Sequence, residues 1–260
     1  MFVLDACTII NILHIDVDDF LNKKLEPLKF TLTQCVADEV REHAFDKFER
    51  YKKYPVEEDH RIRLKMNYFR PRIYYPDLDC SEDVKADTGY SKSNGEFHSV
   101  VLSYYFRFFE ETKVVFYTED SPAKSFFEPY FNDKEIGTIE DLVDLLLFFY
   151  KKGDFSATDL KKYLSSLFYE LASVIKNLEK DIYGFSVPKM LIRDRQFRNL
   201  FDKTKIALKQ LDLNELIVIY NYLKDNKKYY SSLYLIFKKY REFFEQNISS
   251  AYFEKIRRIA

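Results

Sequence analysis

The chain opens on a short apolar run that ends in an acid, Phe2-Val3-Leu4-Asp5-Ala6. Such a run reads as a buried strand. Asp5 then falls at the strand's C-terminal end, where open α/β sheets gather their ligand sites. Cys7-Thr8-Ile9-Ile10-Asn11-Ile12-Leu13 reads as a helix start, and Ile15–Leu25 as a second, short helix. An apolar run, an acid and a helix constrain the fold only if the pattern recurs, and it does.

Lys29–Leu32 reads as a second strand, with Thr33 as N-cap of a long helix from Gln34 to Lys53. Cys35, Val36, Val40 and Ala44 share one face of it, and Glu39 lies in its first two turns. Ser93 or Asn94 can cap a helix running to about Phe109, with Glu96 in the first turn. Lys113–Tyr117 is a strand that closes on Thr118-Glu119-Asp120, and Ser121-Pro122 starts another helix. Glu135–Gly137 reads as a last short strand, and Thr138 as the cap of a strongly apolar helix that Gly153 ends. Between these, residues 55–93 read as charged and irregular, with one short strand at Arg72–Tyr75. Their acids (Asp77, Asp79, Glu82, Asp83, Asp87) read as solvated loop carboxylates.

Strands alternating with helices imply an α/β fold with a central parallel sheet and helices on both faces, a three-layer α/β/α domain over residues 1–153. After Gly153 no strand pattern remains. Helical periodicity recurs at Ser156–Tyr183, Val187–Lys205, Asp212–Lys224, Tyr229–Asn247 and Ser249–Ile259, so residues 154–260 read as an all-helical domain of four or five helices.

The 260 residues, 47% hydrophobic and 32% charged, are enough for a sizeable core in a soluble globular protein. Three cysteines without a CxxC or Cys/His cluster argue against a disulfide framework or structural zinc, and fit a reducing, cytoplasmic setting. No signal-peptide pattern opens the chain. The most apolar run, Leu142–Tyr150, carries Asp144 and is far shorter than the ~20 residues of a membrane span. Charge is uneven: residues 1–153 net −8 and residues 154–260 net +7. Either the two parts attract each other, or the acids hold metal and the basic part approaches phosphate.

Asp5 and Asp120 each follow a strand, and Glu39 and Glu96 each sit early in a helix. With right-handed crossovers these positions share one sheet edge. Four carboxylates in one cleft repel and hold their protons more tightly unless a cation is present. Oxygen-only ligation suits Mg²⁺ or Mn²⁺, and such sites drive in-line attack on phosphodiesters. Each acid also has a plainer role: Asp5 and Asp120 as N-caps, Glu96 as a partner of the helix dipole, Glu39 on a solvated face beside Asp38 and Glu42.

Residues Phe2 to Leu13 resemble the opening of a PIN domain, the metal-dependent ribonuclease fold of many prokaryotic toxins. Val36-Ala37-Asp38-Glu39-Val40, Gly95–Ser103 and Val114–Asp120 are similar to the segments that carry that family's second, third and fourth acids. Gly137–Leu142 with Lys151-Lys152-Gly153 looks like the closing element of one PIN subgroup, so the likeness covers roughly residues 1–165. It implies metal ligation and catalysis by Asp5, Glu39, Glu96 and Asp120, with Glu119 as an auxiliary acid and Thr118 supporting the loop. Two positions after the first Asp the family usually has Ser, Thr or Asn; here stands Cys7, which weakens the hydrogen bond expected there and leaves Thr8 as a substitute. The implied activity is Mg²⁺- or Mn²⁺-dependent endonucleolytic cleavage of RNA, as a toxin or defence effector. A non-catalytic PIN-like scaffold and a structure-specific DNA nuclease are the alternatives.

The basic C-terminal part interleaves Lys203, Lys205, Lys209, Lys227, Lys228, Lys238, Lys239, Arg241, Arg257 and Arg258 with Tyr and Phe. It reads either as a solvated cationic surface or as a single-stranded RNA contact. A third reading is docking of an inhibitory protein or a second copy of the chain.

Overall fold

The computed structural model describes every residue except 17, 45–55, 76–78, 246–249 and 260. Five strands, β1 (Phe2–Leu4), β2 (Phe30–Thr33), β3 (Ile73–Tyr74), β4 (Val114–Tyr117) and β5 (Gly137–Glu140), form one sheet in the order β3-β2-β1-β4-β5. Every neighbouring pair is parallel. β1 lies in the middle, and Val3 and Leu4 are fully buried, as a central parallel strand requires.

The connecting elements of the first part are α1 (Ala6–Ile15), α2 (Phe20–Leu25), α3 (Gln34–His43), α4 (Val56–Phe69), α5 (Asp79–Thr88), α6 (Gly95–Phe108), α7 (Ser121–Asp133) and α8 (Leu142–Lys152). Helix α6 lays Phe97, Val100, Val101 and Phe106 into a core shared with Val3, Val114, Phe116, Phe127 and Phe131. Each such side chain contributes ~1.5–3 kcal/mol by leaving water. Thr33 caps α3 by accepting from Val36 N at 3.3 Å, and Val36, Val40 and Ala44 are buried on one face. The expected continuation of this helix to Lys53, and Asp77 of the acidic run, lie outside the described residues.

Two local readings are corrected. Residues 55–93 are not irregular: α4 and α5 occupy much of that stretch, with β3 at the expected short strand. Their charge hides the pattern, because few apolar positions, such as Ile62, Phe69, Cys80 and Val84, are buried. The last strand is Gly137–Glu140, not Glu135–Gly137. Thr138 is therefore a ladder residue opposite Val115, and the cap of α8 is Asp141, in a capping box with Asp144. Gly137 is needed there, since a Cβ on it would run into the Val114 carbonyl.

The chain divides into two compact units, Met1–Leu164 and Ser165–Ala260. The division falls inside α9 (Ala157–Tyr183). The second unit continues with α10 (Lys189–Ile192), α11 (Arg195–Gln210), α12 (Leu213–Asp225), α13 (Ser231–Lys238), α14 (Arg241–Glu245) and α15 (Ser250–Ile259). It holds no strand among the described residues. Two of the expected helices are each broken in two. Asp194 caps α11 by accepting from Gln196 N and Phe197 N, which ends α10 before it. Among the described residues no helix is long and apolar enough to cross a membrane.

Candidate functional site

Strand register builds the first half of the site. Leu4 pairs with Tyr117 across β1 and β4, so the next residues, Asp5 and Thr118, leave the sheet side by side. Asp5 N donates to Tyr117 O at 3.0 Å and fixes that exit. Thr118 Oγ1 donates to Asp5 Oδ2 at 2.9 Å and accepts from Asp120 N at 3.1 Å, which sets the β4–α7 turn. The Cys7 thiol donates to the same Asp5 oxygen at 3.2 Å. Asp5 precedes α1 but makes no side-chain cap. Its other oxygen, Oδ1, is buried and has no hydrogen-bond partner.

Helix starts build the second half. Asn94 caps α6 by accepting from Phe97 N at 3.3 Å, and its amide reaches Glu96 Oε2. Glu39, half-buried on α3, accepts from Gly95 N at 2.8 Å. The first turn of α6 is thus tied to α3. Asp120 caps α7 through Ala123 N at 2.7 Å, so one of its oxygens does carry the plainer role.

The electrostatics join the two halves. Burial pushes Glu96 up to about 8, and Asp5, Asp120 and Glu39 push it further in the same direction. Burial likewise raises Asp5 to about 6; the hydrogen bonds from Cys7 and Thr118 pull it back, and Glu39 adds to the rise. Glu96 therefore lies within electrostatic reach of Asp5, Asp120 and Glu39, and Asp5 within reach of Glu39.

Glu119 sits differently. It is buried, accepts from Leu142 N at 2.9 Å and from Thr8 Oγ1 at 3.0 Å, and its backbone N–H donates to Cys7 Sγ at 3.2 Å. Burial raises it to about 7. Both of its oxygens tie β4 to α1 and α8. Thr8 is directed to Glu119 and to Tyr117 O at 3.1 Å; the side chain from α1 that reaches Asp5 is Cys7. That contact, and the one between Gly95 and Glu39, were not anticipated. The signal for the first was Cys7's position two residues after the acid. The second depends on two helices far apart in sequence and had no local signal.

Two observations bear on whether these residues fit a divalent cation. In favour stand an all-carboxylate donor set and the unpartnered, buried Asp5 Oδ1. Against it, among the described residues no three His, Cys, Asp or Glu side chains are drawn together into a ready coordination cage. Glu39, Glu96 and Asp120 lean instead on Gly95 N–H, the Asn94 amide and Ala123 N–H. Like charges without a counterion settle on such local donors. The residue types suit a hard divalent cation, and the side chains as they stand are held by local donors.

The chain matches no known protein family, no curated protein and no solved structure.

Proposed function

We propose that residues 1–153 are a PIN-like, three-layer α/β/α domain acting in the cytoplasm as a metal-dependent endoribonuclease, in the manner of a toxin or defence effector. The observation that carries this reading is the unpartnered Asp5 Oδ1, buried within electrostatic reach of Glu39 and beside Glu96. A buried acceptor left unsatisfied costs about 1–3 kcal/mol, a cost a fold retains where function uses the atom.

When bound, Mg²⁺ or Mn²⁺ supplies a Lewis acid and an activated water for attack on phosphorus. The chain's own residues do the rest. Thr118 and Cys7 hold one Asp5 oxygen and leave the other directed away from them. Glu39 is held by Gly95 N–H through Oε1, leaving Oε2 for a cation. Glu96 carries a proton at neutral pH in the metal-free protein and must release it as the site charges. Glu119 keeps β4, α1 and α8 in register behind the site.

The test is cleavage of single-stranded RNA and of DNA by purified protein with Mn²⁺, with Mg²⁺ and with EDTA, beside the Asp5→Asn variant. RNA cutting that needs the metal and is lost in the variant is the expected result. Cutting that persists in EDTA or in the variant would overturn the reading. The ties of Glu39, Glu96 and Asp120 to Gly95 N–H, the Asn94 amide and Ala123 N–H suit a second reading, a non-catalytic PIN-like scaffold, which gives no cutting with any metal in a folded protein. Preference for structured DNA in the same assay would select the DNA-nuclease alternative.

A further inference from the structure

The second unit, Ser165–Ala260, carries 18 Lys and Arg against 11 Asp and Glu, a net +7. Positive charge alone is a solvated surface. One corner of this unit adds exposed aromatic rings on a structured turn to it. The turn between α12 and α13 reads Tyr222-Leu223-Lys224-Asp225-Asn226-Lys227-Lys228-Tyr229-Tyr230, with a single acid.

This turn is built rather than loose. Tyr229 N and Tyr230 N both donate to Asn226 O, at 3.0 and 3.2 Å. The Asn226 side chain donates back to Tyr222 O at 2.9 Å. Tyr230 is buried with its ring 6.2 Å from that of Phe197, and it braces the Tyr222 ring from 5.9 Å. Tyr222 is nonetheless 43% exposed and Tyr229 77% exposed. Lys224, Lys227 and Lys228 are exposed beside them, and neither Lys227 nor Lys228 forms an ion pair among the described residues. The Tyr222 ring, braced in this way, loses little conformational freedom when something stacks on it, and the backbone of Tyr229 is fixed by the Asn226 carbonyl.

We propose that this corner is a contact site for single-stranded RNA, with Tyr222 and Tyr229 as stacking faces and Lys224, Lys227 and Lys228 on the phosphates. Bases stack on aromatic rings without regard to sequence, and lysines follow the backbone. A protein partner is the less fitting occupant, because protein interfaces are depleted in Lys. A duplex fits less well too, since its bases are already stacked. The choice of RNA over DNA rests on the proposed ribonuclease activity; the site itself does not.

The test is fluorescence anisotropy of a labelled oligouridylate with the full chain in EDTA across a salt series, repeated with duplex RNA. Two variants are compared with wild type: Tyr229→Ala, and Lys227→Gln with Lys228→Gln. All three positions are exposed, and circular dichroism checks the fold. Tyr229→Ala is expected to weaken single-strand binding on the order of tenfold with an unchanged salt slope. The double variant is expected to weaken binding and flatten the salt slope by about 1.4, two contacts at ~0.7 each. Wild-type affinity in both variants, equal losses on duplex RNA, or a change in sedimenting mass in place of a change in RNA affinity would overturn the inference. The same variants in the cleavage assay separate the two claims. Metal-dependent cutting with unaltered RNA affinity in both would leave the active-site reading standing and remove this one.

Discussion

Gly95 donates its backbone N–H to Glu39 Oε1 at 2.8 Å, and a Cβ on Gly95 would stand 2.5 Å from Glu39 Oε2. The start of α6 and the acid of α3 therefore fit each other only while position 95 has no side chain. Because the opposing atom is the end of a flexible side chain, an added methyl displaces the carboxylate rather than the helix.

Gly95→Ala should thus separate site from fold. Alanine favours a helix over glycine by up to ~1 kcal/mol, so thermal stability is expected to hold or rise. Affinity for Mn²⁺ and any metal-dependent cleavage are expected to fall tenfold or more. Calorimetry beside thermal unfolding checks both, and unchanged Mn²⁺ affinity would remove Glu39 from the site.

Asp5→Asn should cost activity without costing stability. The amide oxygen can still accept from Thr118 and Cys7, while the buried position no longer holds an ionisable group. Above pH 6, where burial opposes the charged form of Asp5, the metal-free variant is expected to melt at or above the wild-type temperature. A large drop in melting temperature would show that Asp5 serves the fold instead.

The pH dependence of stability has a definite sign. Glu96 keeps its proton up to about 8 in the fold, against an ordinary 4.5 in the unfolded chain, and Asp5 up to about 6 against 3.8. Between those values the native state binds more protons than the unfolded one, so metal-free stability falls as pH rises toward 8. Thermal melts in EDTA from pH 5 to 8.5 should show this decline. Added Mn²⁺ should raise the melting temperature more at pH 8 than at pH 6. An increment that is flat with pH would detach Glu96 from metal binding.

The sheet and its order of elements were legible because central strands are apolar throughout. Phe2-Val3-Leu4 and Val114–Tyr117 announce themselves, and the residues that follow them inherit positions at the strand ends. The caps Thr33 and Asn94 were legible because cap chemistry is local. Helices α4 and α5 were not, since their polar faces outnumber their buried positions and propensity alone decides little. Strand β5 was misplaced because Gly137-Thr138 carries cap-like residues, whereas pairing with β4, a long-range contact, decides its state. At the site, residue types pointed to Asp5 and Asp120. The thiol of Cys7 against Asp5 and the backbone of Gly95 against Glu39 are products of assembly.

Glu119 separates support from chemistry. Glu119→Ala leaves Leu142 N–H and the Thr8 hydroxyl without their acceptor. A loss of about 1–3 kcal/mol is expected, on the order of 5 °C in melting temperature. Cleavage measured well below that temperature should survive at reduced rate. Full loss of cleavage in a protein of wild-type stability would instead place Glu119 among the working acids.

The most direct measurement is a Mn²⁺ titration of the full chain by calorimetry at pH 8, with wild type beside Asp5→Asn and Glu96→Gln. Saturable binding in the wild type, weakened at least tenfold in either variant and accompanied by proton release, is the result expected of four acids converging on one cation. Equal affinities in all three proteins would contradict it, and would leave the edge of the sheet with carboxylates that serve only as helix caps and tethers.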